Sequence, residues 1–319
     1  MWRNSRKGRR SSAAAVSPAL ALLVAATLLS ASCLAQGKPV VKSQEAEWES
    51  WIPRPKAGTL LAGPWVLGTT PDRLAIRWEV MGETQAIIVL KGPDGAEQAL
   101  EGTMLSADLL TIHLPGRVYE VEPGALTPCA KYHYRLEPFE KKGFPHRLEA
   151  PPLPGEYCPE PLRIVAYGDS RTNHKIHASL MPAFVKAEPR LLVNIGDIVH
   201  TARRVFEWQK FFEIEKRLLG DVPLSIVPGN HEAYKDAAFG AAMFDRYFLH
   251  ASGGTGHHVA DFGPVRFFLL DQYFGPPLDR NGLKWLEEQF EATPPDRYRI
   301  VVMHEPVYSF AYHKPSDAL

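Results

Sequence analysis

The sequence predicts two folded parts in series, an all-β sandwich and then an α/β domain with mixed sheet layers flanked by helices. Short alternating strands broken by turn pairs fill the first part, residues 64–150. In the second part, residues 162–319, apolar runs of strand length alternate with segments of helix length. The proline-rich stretch at 151–161 predicts a linker between them.

The first 35 residues predict a signal peptide, followed by an unassigned N-terminal segment at 36–63. The first ten residues include five basic side chains and no acidic one. An apolar run and then small side chains follow them. We therefore expect a secreted or periplasmic protein. A retained membrane anchor stays open because the apolar run approaches spanning length, and so does a lipoprotein attached through Cys33.

Composition excludes several classes of protein. The chain has 319 residues, of which 45% are hydrophobic and 23% charged, so disordered and fibrous classes do not fit. The formal net charge is zero, and acidic residues outnumber basic ones once the predicted signal is removed. We expect no nucleic-acid binding through a basic patch, because the chain that remains has no excess of positive charge.

The predicted elements follow from hydrophobic periodicity. In the sandwich the strands are expected at 73–80, 86–95, 110–116 and 131–138. In the α/β domain the helices are expected at 175–186, 203–219, 235–249 and 280–291. A hairpin is expected around Gly263 and Pro264, before the last strand.

Two cysteines follow the predicted signal, Cys129 and Cys158, and they do not have the spacing of a metal-binding Cys-x-x-Cys pair. An exported protein meets a compartment that permits disulfides. A bridge between them would tie the end of the sandwich to the linker. Two separate buried thiols are the alternative.

Four apolar runs of the second part each end in side chains that bind metals. These side chains are Asp169, Asp197, the pair Asn230 and His231, and His304. Loops at the carboxyl ends of strands converge in α/β proteins, so we expect the four endings to meet in one crevice. Their oxygen and nitrogen atoms suit Zn, Mn or Fe. Glycines at 168, 196 and 229 are expected to let the chain turn sharply there.

Each ending taken alone has an ordinary structural explanation. A Gly-Asp pair after a strand is commonly a turn or a helix cap, and Asn is a common turn former. A lone His is more often a hydrogen-bonded core residue than a ligand. The ordered set of endings is what favours a metal site.

The series Gly-Asp, Gly-Asp-x-x-His, Gly-Asn-His-Glu and apolar-apolar-x-His resembles the calcineurin-like metallophosphoesterases. In the sandwich, Trp78 and Tyr132, with the Leu-Thr-Pro segment that precedes Tyr132, resemble a fibronectin type III domain. This sandwich and the segment MHEPVYS resemble the purple acid phosphatases. The resemblance implies two divalent or trivalent metal ions, Fe, Zn or Mn. It also implies hydrolysis of phosphate esters on a phosphorylated small-molecule or macromolecular substrate.

The resemblance further implies metal ligands at matching positions. Asp197 would bridge the two metals, because one carboxylate can hold two cations about 3.5 to 4 Å apart. Asp169 would bind the first metal, and Asn230 and His304 the second.

The same resemblance implies residues that act on the substrate. His231 would face the phosphate and help the leaving oxygen depart, with Glu232 supporting it from behind. Asn230 and His313 would contact the substrate.

Two departures from the family pattern change these expectations. His200 stands where the purple enzymes have a tyrosine that binds ferric iron, so a purple site is not expected. His200 is predicted to be a nitrogen ligand of the first metal, with a solvent-facing or supporting role as the alternative. The family's closing Gly-His-x-His element does not occur before Leu319, which predicts a fragment with weak metal affinity and low activity.

Two rival functions stay open. The same site would support a phosphodiesterase acting on nucleotides or phospholipids. A non-catalytic binding protein with a vestigial phosphoesterase domain is the third reading, and it predicts no bound metal. No Gly-x-Ser-x-Gly elbow or phosphate-binding glycine loop occurs to favour a serine nucleophile or a nucleotide site.

Overall fold

The structure is a computed structural model that describes residues 55–105, 114, 116–248 and 256–307. Within these ranges the strands are β1 (Leu60–Leu67), β2 (Ala75–Met81), β3 (Ile87–Lys91), β4 (Glu97–Glu101), β5 (Thr103–Met104), β6 (Gly116–Val121), β7 (Lys131–Glu137), β8 (His146–Glu149), β9 (Ile164–Tyr167), β10 (Leu191–Asn194), β11 (Leu224–Ile226), β12 (His258–Phe262), β13 (Val265–Leu269) and β14 (Tyr298–Val302). The helices are α1 (His174–Lys186), α2 (Val205–Leu219), α3 (Asn230–Ala233), α4 (Ala237–Phe248) and α5 (Arg280–Glu291). The predicted signal peptide, Cys33 and His313 lie outside the described residues.

The strands before the predicted linker form two antiparallel groups, β5-β6-β2-β1 and β4-β3-β7-β8. Buried side chains from both groups, including Trp78 and Leu136, form one apolar cluster between them. The Tyr132 hydroxyl accepts a hydrogen bond from the Thr127 backbone N–H at 3.0 Å, the contact expected of a tyrosine corner. Assignment of this part to the fibronectin type III class remains a prediction.

The first of these groups continues into the sheet of the second part. β1 pairs in parallel with β11 through Leu67 and Leu224, which gives the strand order β5-β6-β2-β1-β11-β10-β9. The Trp65 ring packs on Phe212 of α2 with ring centroids 4.5 Å apart. The two predicted parts therefore share a sheet and an apolar core, and their boundaries at 150 and 162 remain predictions.

The α/β part contains two layers of sheet. β9, β10 and β11 are parallel, whereas β12 and β13 form the predicted antiparallel hairpin and β14 runs parallel to β13. Val193 and Val227 share an apolar cluster with Phe267 and Leu269, which places the two sheets face to face. Side chains of α2 and α4 cluster with Leu192 and cover the other face of the first sheet.

The predicted helices differ from the observed ones at one place. α5 has the predicted bounds, and α1 and α2 begin within two residues of theirs. The helix predicted at 235–249 is α4, Ala237–Phe248, and the separate short helix α3 precedes it. Lys235 has φ of 67°, a left-handed conformation that interrupts a right-handed helix.

One predicted strand, at 110–116, lies mostly outside the described residues. The described strand that follows, β6, begins at Gly116, runs to Val121 and was not predicted. Its side chains at Val118, Tyr119 and Val121 are buried.

Cys129 and Cys158 form a disulfide, with Cα atoms 5.6 Å apart. This confirms the predicted bridge between the end of the β-rich part and the segment before β9. None of the helices within the described ranges combines the length and the apolar character that crossing a membrane requires.

Candidate metal centre

Three of the four predicted strand endings meet at one edge of the sheets. Asp169 follows β9, Asp197 follows β10 and His304 follows β14. One ligand-type atom from each of these side chains lies within 4.8 Å of the others. Asn230, which begins α3 after β11, joins them because its Oδ1 lies 3.2 Å from His304 Nε2. The geometry thus brings together Asp169, Asp197, Asn230 and His304.

Glycines allow the loops after β10 and β11 to touch. Gly196 has φ of 96°, as the predicted sharp turn requires, and a Cβ atom there would overlap the Gly229 backbone. A Cβ atom at Gly229 would overlap the Asp197 carboxylate. At Gly229, and at Gly168 where a Cβ would overlap Ile195, the requirement is close approach rather than the sharp turn expected from the sequence.

Both aspartates have left-handed backbone conformations, with φ of 55° at Asp169 and 60° at Asp197. Asp tolerates this region better than most residues do. Such conformations cost free energy and concentrate at functional sites, where the surrounding structure enforces them.

Asp197 is completely buried. Its Oδ1 atom accepts a hydrogen bond from the His231 backbone N–H at 2.8 Å and lies 3.6 Å from His304 Nε2. Its Oδ2 atom accepts no hydrogen bond of normal geometry, and the Arg171 guanidinium lies against it as an ion-pair partner. A buried carboxylate requires donors or cations around it, so this position favours a cation.

Glu232 holds the loops after β10 and β11 together. Its carboxylate accepts hydrogen bonds from the backbone N–H groups of Gly229 at 2.7 Å, Asp197 at 2.8 Å, Ile198 at 2.9 Å and Val199 at 3.2 Å. Complete burial raises the pKa of this carboxyl to about 7, and backbone hydrogen bonds, including those from Gly229, Val199 and Ile198, oppose that rise by favouring the ionised form. The contacts of Glu232 are thus to loop backbone, which fixes the turn that carries His231.

The His304 ring presents a lone pair to the cluster. Its Nδ1 atom lies 2.7 Å from the Ile195 carbonyl oxygen, which can only accept, so Nδ1 carries the proton. In the neutral ring Nε2 is then an acceptor, and it faces Asn230 Oδ1 at 3.2 Å and Asp197 Oδ1 at 3.6 Å. Three electron-rich atoms facing one another fit a shared cation.

His231 and His200 lie beside this group. His231 Nδ1 donates to the His200 carbonyl oxygen at 2.7 Å, which leaves Nε2 as the free ring nitrogen. The two rings have centroids 5.2 Å apart. Burial lowers the pKa of both rings, and the positive charges of Arg171 near His231 and of Arg204 near His200 lower them further. His200 is not in the three-residue cluster of the described chain, and its role as a ligand remains a prediction.

Two residues of the site were not predicted. Gln272 follows β13. Its Oε1 accepts hydrogen bonds from the backbone N–H groups of His304 at 3.0 Å and of Glu305 at 2.8 Å. Its Nε2 donates a hydrogen bond to the Glu305 carbonyl oxygen at 3.2 Å. Arg171 follows Asp169 and contacts both aspartates. Both residues lie just past the carboxyl end of a strand, which is the signal that could have found them.

A buried polar group supports the end of β9. The Tyr167 hydroxyl donates to Glu215 of α2, whose other carboxylate oxygen lies 2.7 Å from His177 Nε2 of α1. Burial raises the pKa of Glu215, and the His177 and Tyr167 partners oppose that rise. These contacts fix the strand that delivers Asp169.

Fold and cluster together define a layered α/β protein with a candidate metal centre at its strand ends. Residues 162–319 match the family model described as calcineurin-like phosphoesterase. Residues 162–319 are therefore a calcineurin-like metallophosphoesterase domain, as the sequence motifs predicted.

Solved structures share the fold at low sequence identity. The purple acid phosphatase PPD1 from yellow lupin (Lupinus luteus) seeds aligns with a TM-score of 0.60 and 15% identity, over 75% of this chain and 50% of that one. A structure of PhoD aligns with a TM-score of 0.52 and 12% identity, over 70% of this chain and 54% of that one. The chain thus spans about half the length of each. No curated protein matches the chain at the significance threshold.

Proposed function

We propose that the protein hydrolyses phosphate esters with the help of two metal ions, Fe, Zn or Mn. The convergence of Asp169, Asp197 and His304 carries this proposal, since their ligand-type atoms lie within 4.8 Å of one another. Membership of the calcineurin-like phosphoesterase family supports it. The likeness to purple acid phosphatase in fold supports the layout of the site.

Oxygen and nitrogen donors of this set fit such ions. Asp197 would help to hold both ions, Asp169 and His200 would hold one, and Asn230 and His304 the other. Bound metal supplies positive charge to the phosphoryl oxygens and makes water a stronger nucleophile near neutral pH.

His231 is proposed to help the leaving oxygen of the substrate depart by holding a proton toward it. Its Nδ1–H is committed to the His200 carbonyl, so Nε2 is the ring atom that can hold a proton toward the substrate. Glu232 keeps this ring in place through the backbone of its turn. Asn230, beside His304, and His313 are proposed to contact the phosphate.

Activity is tested on the chain stripped of metal and reloaded with Zn²⁺, Mn²⁺ or Fe²⁺, using an aryl phosphate and the matching diester. We expect hydrolysis that depends on metal and falls at least a hundredfold in His231→Ala. The control is His133→Ala, since His133 lies on the exposed side of β7. Faster hydrolysis of the diester than of the monoester would identify a phosphodiesterase. A chain that binds no metal and hydrolyses neither ester would leave the binding-protein alternative.

We also propose that the protein is exported and works in an oxidising compartment. The predicted signal peptide at 1–35 and the disulfide between Cys129 and Cys158 support this location. Fusion of residues 1–40 to a reporter that is active only after export tests it, and a reporter retained in the cytoplasm would refute it.

A further inference from the structure

Arg171 places a guanidinium between the two aspartates of the candidate metal centre. Its terminal nitrogen lies 2.7 Å from Asp169 Oδ1 and also contacts Asp197 Oδ2. The backbone N–H of Arg171 donates to the Asp197 carbonyl oxygen at 3.0 Å, so the base of the side chain is fixed to the loop after β10. The side chain is 28% exposed, whereas Asp197 is completely buried.

The guanidinium and a metal ion compete for the same oxygens. A cation bound by Asp169 and Asp197 would repel the guanidinium at contact distance, because like charges in a partly buried site are weakly screened. Since the Arg171 backbone is anchored, the side chain can leave the carboxylates only by turning about its own bonds. Its charged end would therefore stay beside the cluster.

The displaced guanidinium would face the position of a phosphoryl group. Its planar fork of N–H donors matches phosphate oxygens, which it binds in bidentate fashion.

We propose that Arg171 is an internal cation that occupies the carboxylate pair in the metal-free protein and binds a phosphoryl oxygen of the substrate once metal is bound. The second half of this inference rests on the proposed function. The first half concerns only the chain and the metal.

Binding of Mn²⁺ alone, measured by titration calorimetry on metal-stripped protein, tests the first half. In Arg171→Gln we expect Mn²⁺ to bind about fivefold tighter, because a competing ion pair of ordinary strength is lost. Arg171→Lys keeps the charge and should bind Mn²⁺ like the wild type. Arg163→Gln is the matched control, since Arg163 carries the same charge just before β9 and pairs with Glu188 on the surface.

Binding of inorganic phosphate to the Mn²⁺-loaded protein tests the second half. We expect affinity to fall about tenfold in Arg171→Gln and less in Arg171→Lys, because charge-assisted bidentate contacts are lost or weakened. A cooperative thermal transition in each metal-stripped variant would show that both fold.

The outcomes separate this inference from the proposed function. Equal or weaker Mn²⁺ binding in Arg171→Gln overturns the competition, and unchanged phosphate affinity overturns the phosphoryl contact, even if the wild type is an active metal enzyme. A wild type that binds none of Mn²⁺, Zn²⁺ and Fe²⁺ refutes the inference and the proposed function together.

Discussion

Asp197 and Glu232 are two fully buried carboxylates with different partners. Four backbone N–H groups donate hydrogen bonds to Glu232, so its oxygens have partners without any cation. Asp197 receives one backbone N–H and otherwise faces Arg171 and the His304 ring. This contrast assigns Glu232 to holding the loops and Asp197 to binding cations.

Replacement of Glu232 tests this assignment at the residue scale. In Glu232→Gln one acceptor oxygen becomes an NH₂ group that faces backbone donors, and the free energy of unfolding should fall by about 2 kcal/mol. Urea unfolding of metal-stripped protein measures it. The control is Glu97→Gln, because Glu97 is exposed in β4. A loss below 0.5 kcal/mol, the ordinary range of surface changes, would contradict the assignment.

At the scale of elements, the site depends on loops that follow parallel strands. β9, β10 and β14 deliver Asp169, Asp197 and His304, and the loop after β13 contributes Gln272. Gln272 binds the backbone on both sides of the His304–Glu305 peptide and so orients the His304 ring.

Loss of this amide should weaken the metal centre without removing a ligand. We expect Gln272→Ala to reduce Mn²⁺ affinity by about tenfold, as is usual when a group that orients a ligand is removed. Gln98→Ala, a matched change on an exposed strand position, should bind Mn²⁺ like the wild type. Equal affinity in Gln272→Ala would show that His304 is positioned by its Ile195 contact alone.

Part of this site could be predicted from the sequence. Strand endings located Asp169, Asp197, Asn230 and His304 because an apolar run and the polar residue after it are local features. The same signal marks Arg171 and Gln272 as candidates but does not show what they contact. Their contacts depend on left-handed backbone at Asp169 and on the parallel pairing of β13 with β14, which periodicity does not encode.

For the whole molecule, the two predicted parts pack more closely than the sequence indicated. Pairing of β1 with β11 joins positions 67 and 224, a separation over which hydrophobic patterns give no pairing information. His146 of β8 adds a polar link, with Nε2 at 2.8 Å from Glu140 and Nδ1 at 3.5 Å from Asp221, which follows α2.

This link predicts a pH dependence of stability. Burial lowers the pKa of His146, but its bonds to Asp221 and Glu140 outweigh burial and raise the pKa from 6.5 to about 9. A folded-state pKa above the unfolded value means that the stabilisation is complete below pH 6.5 and is lost as pH rises through 9.

We therefore expect the free energy of unfolding to fall by about 2 kcal/mol between pH 6.5 and 9.5. Urea titrations across this range measure the change, and His146→Gln should remove most of it. A wild-type profile as flat as that of the variant would contradict the charged link. Tyr134 stacks on the His146 ring, and Lys216 lies near Glu140. Both residues are the same in the wild type and in His146→Gln, so the difference between the two profiles belongs to His146.

The disulfide gives a second prediction at this scale. It closes a loop with a sequence separation of 29 residues. Replacing both Cys129 and Cys158 by Ser should lower the free energy of unfolding by about 3 kcal/mol, mainly by freeing the unfolded chain. Urea unfolding measures it, and an equal loss on reducing the wild type would confirm the cause. A loss under 1 kcal/mol would contradict it.

The central claim is that the strand endings build a metal centre, and direct metal analysis tests it most simply. The chain is dialysed to equilibrium against buffered Zn²⁺ or Mn²⁺ and analysed for bound metal, beside Asp197→Asn and the exposed control Asp72→Asn. We expect about two metal ions per chain in the wild type and the control, and a large loss in Asp197→Asn. Metal-free wild type, or equal metal in Asp197→Asn, would contradict the claim.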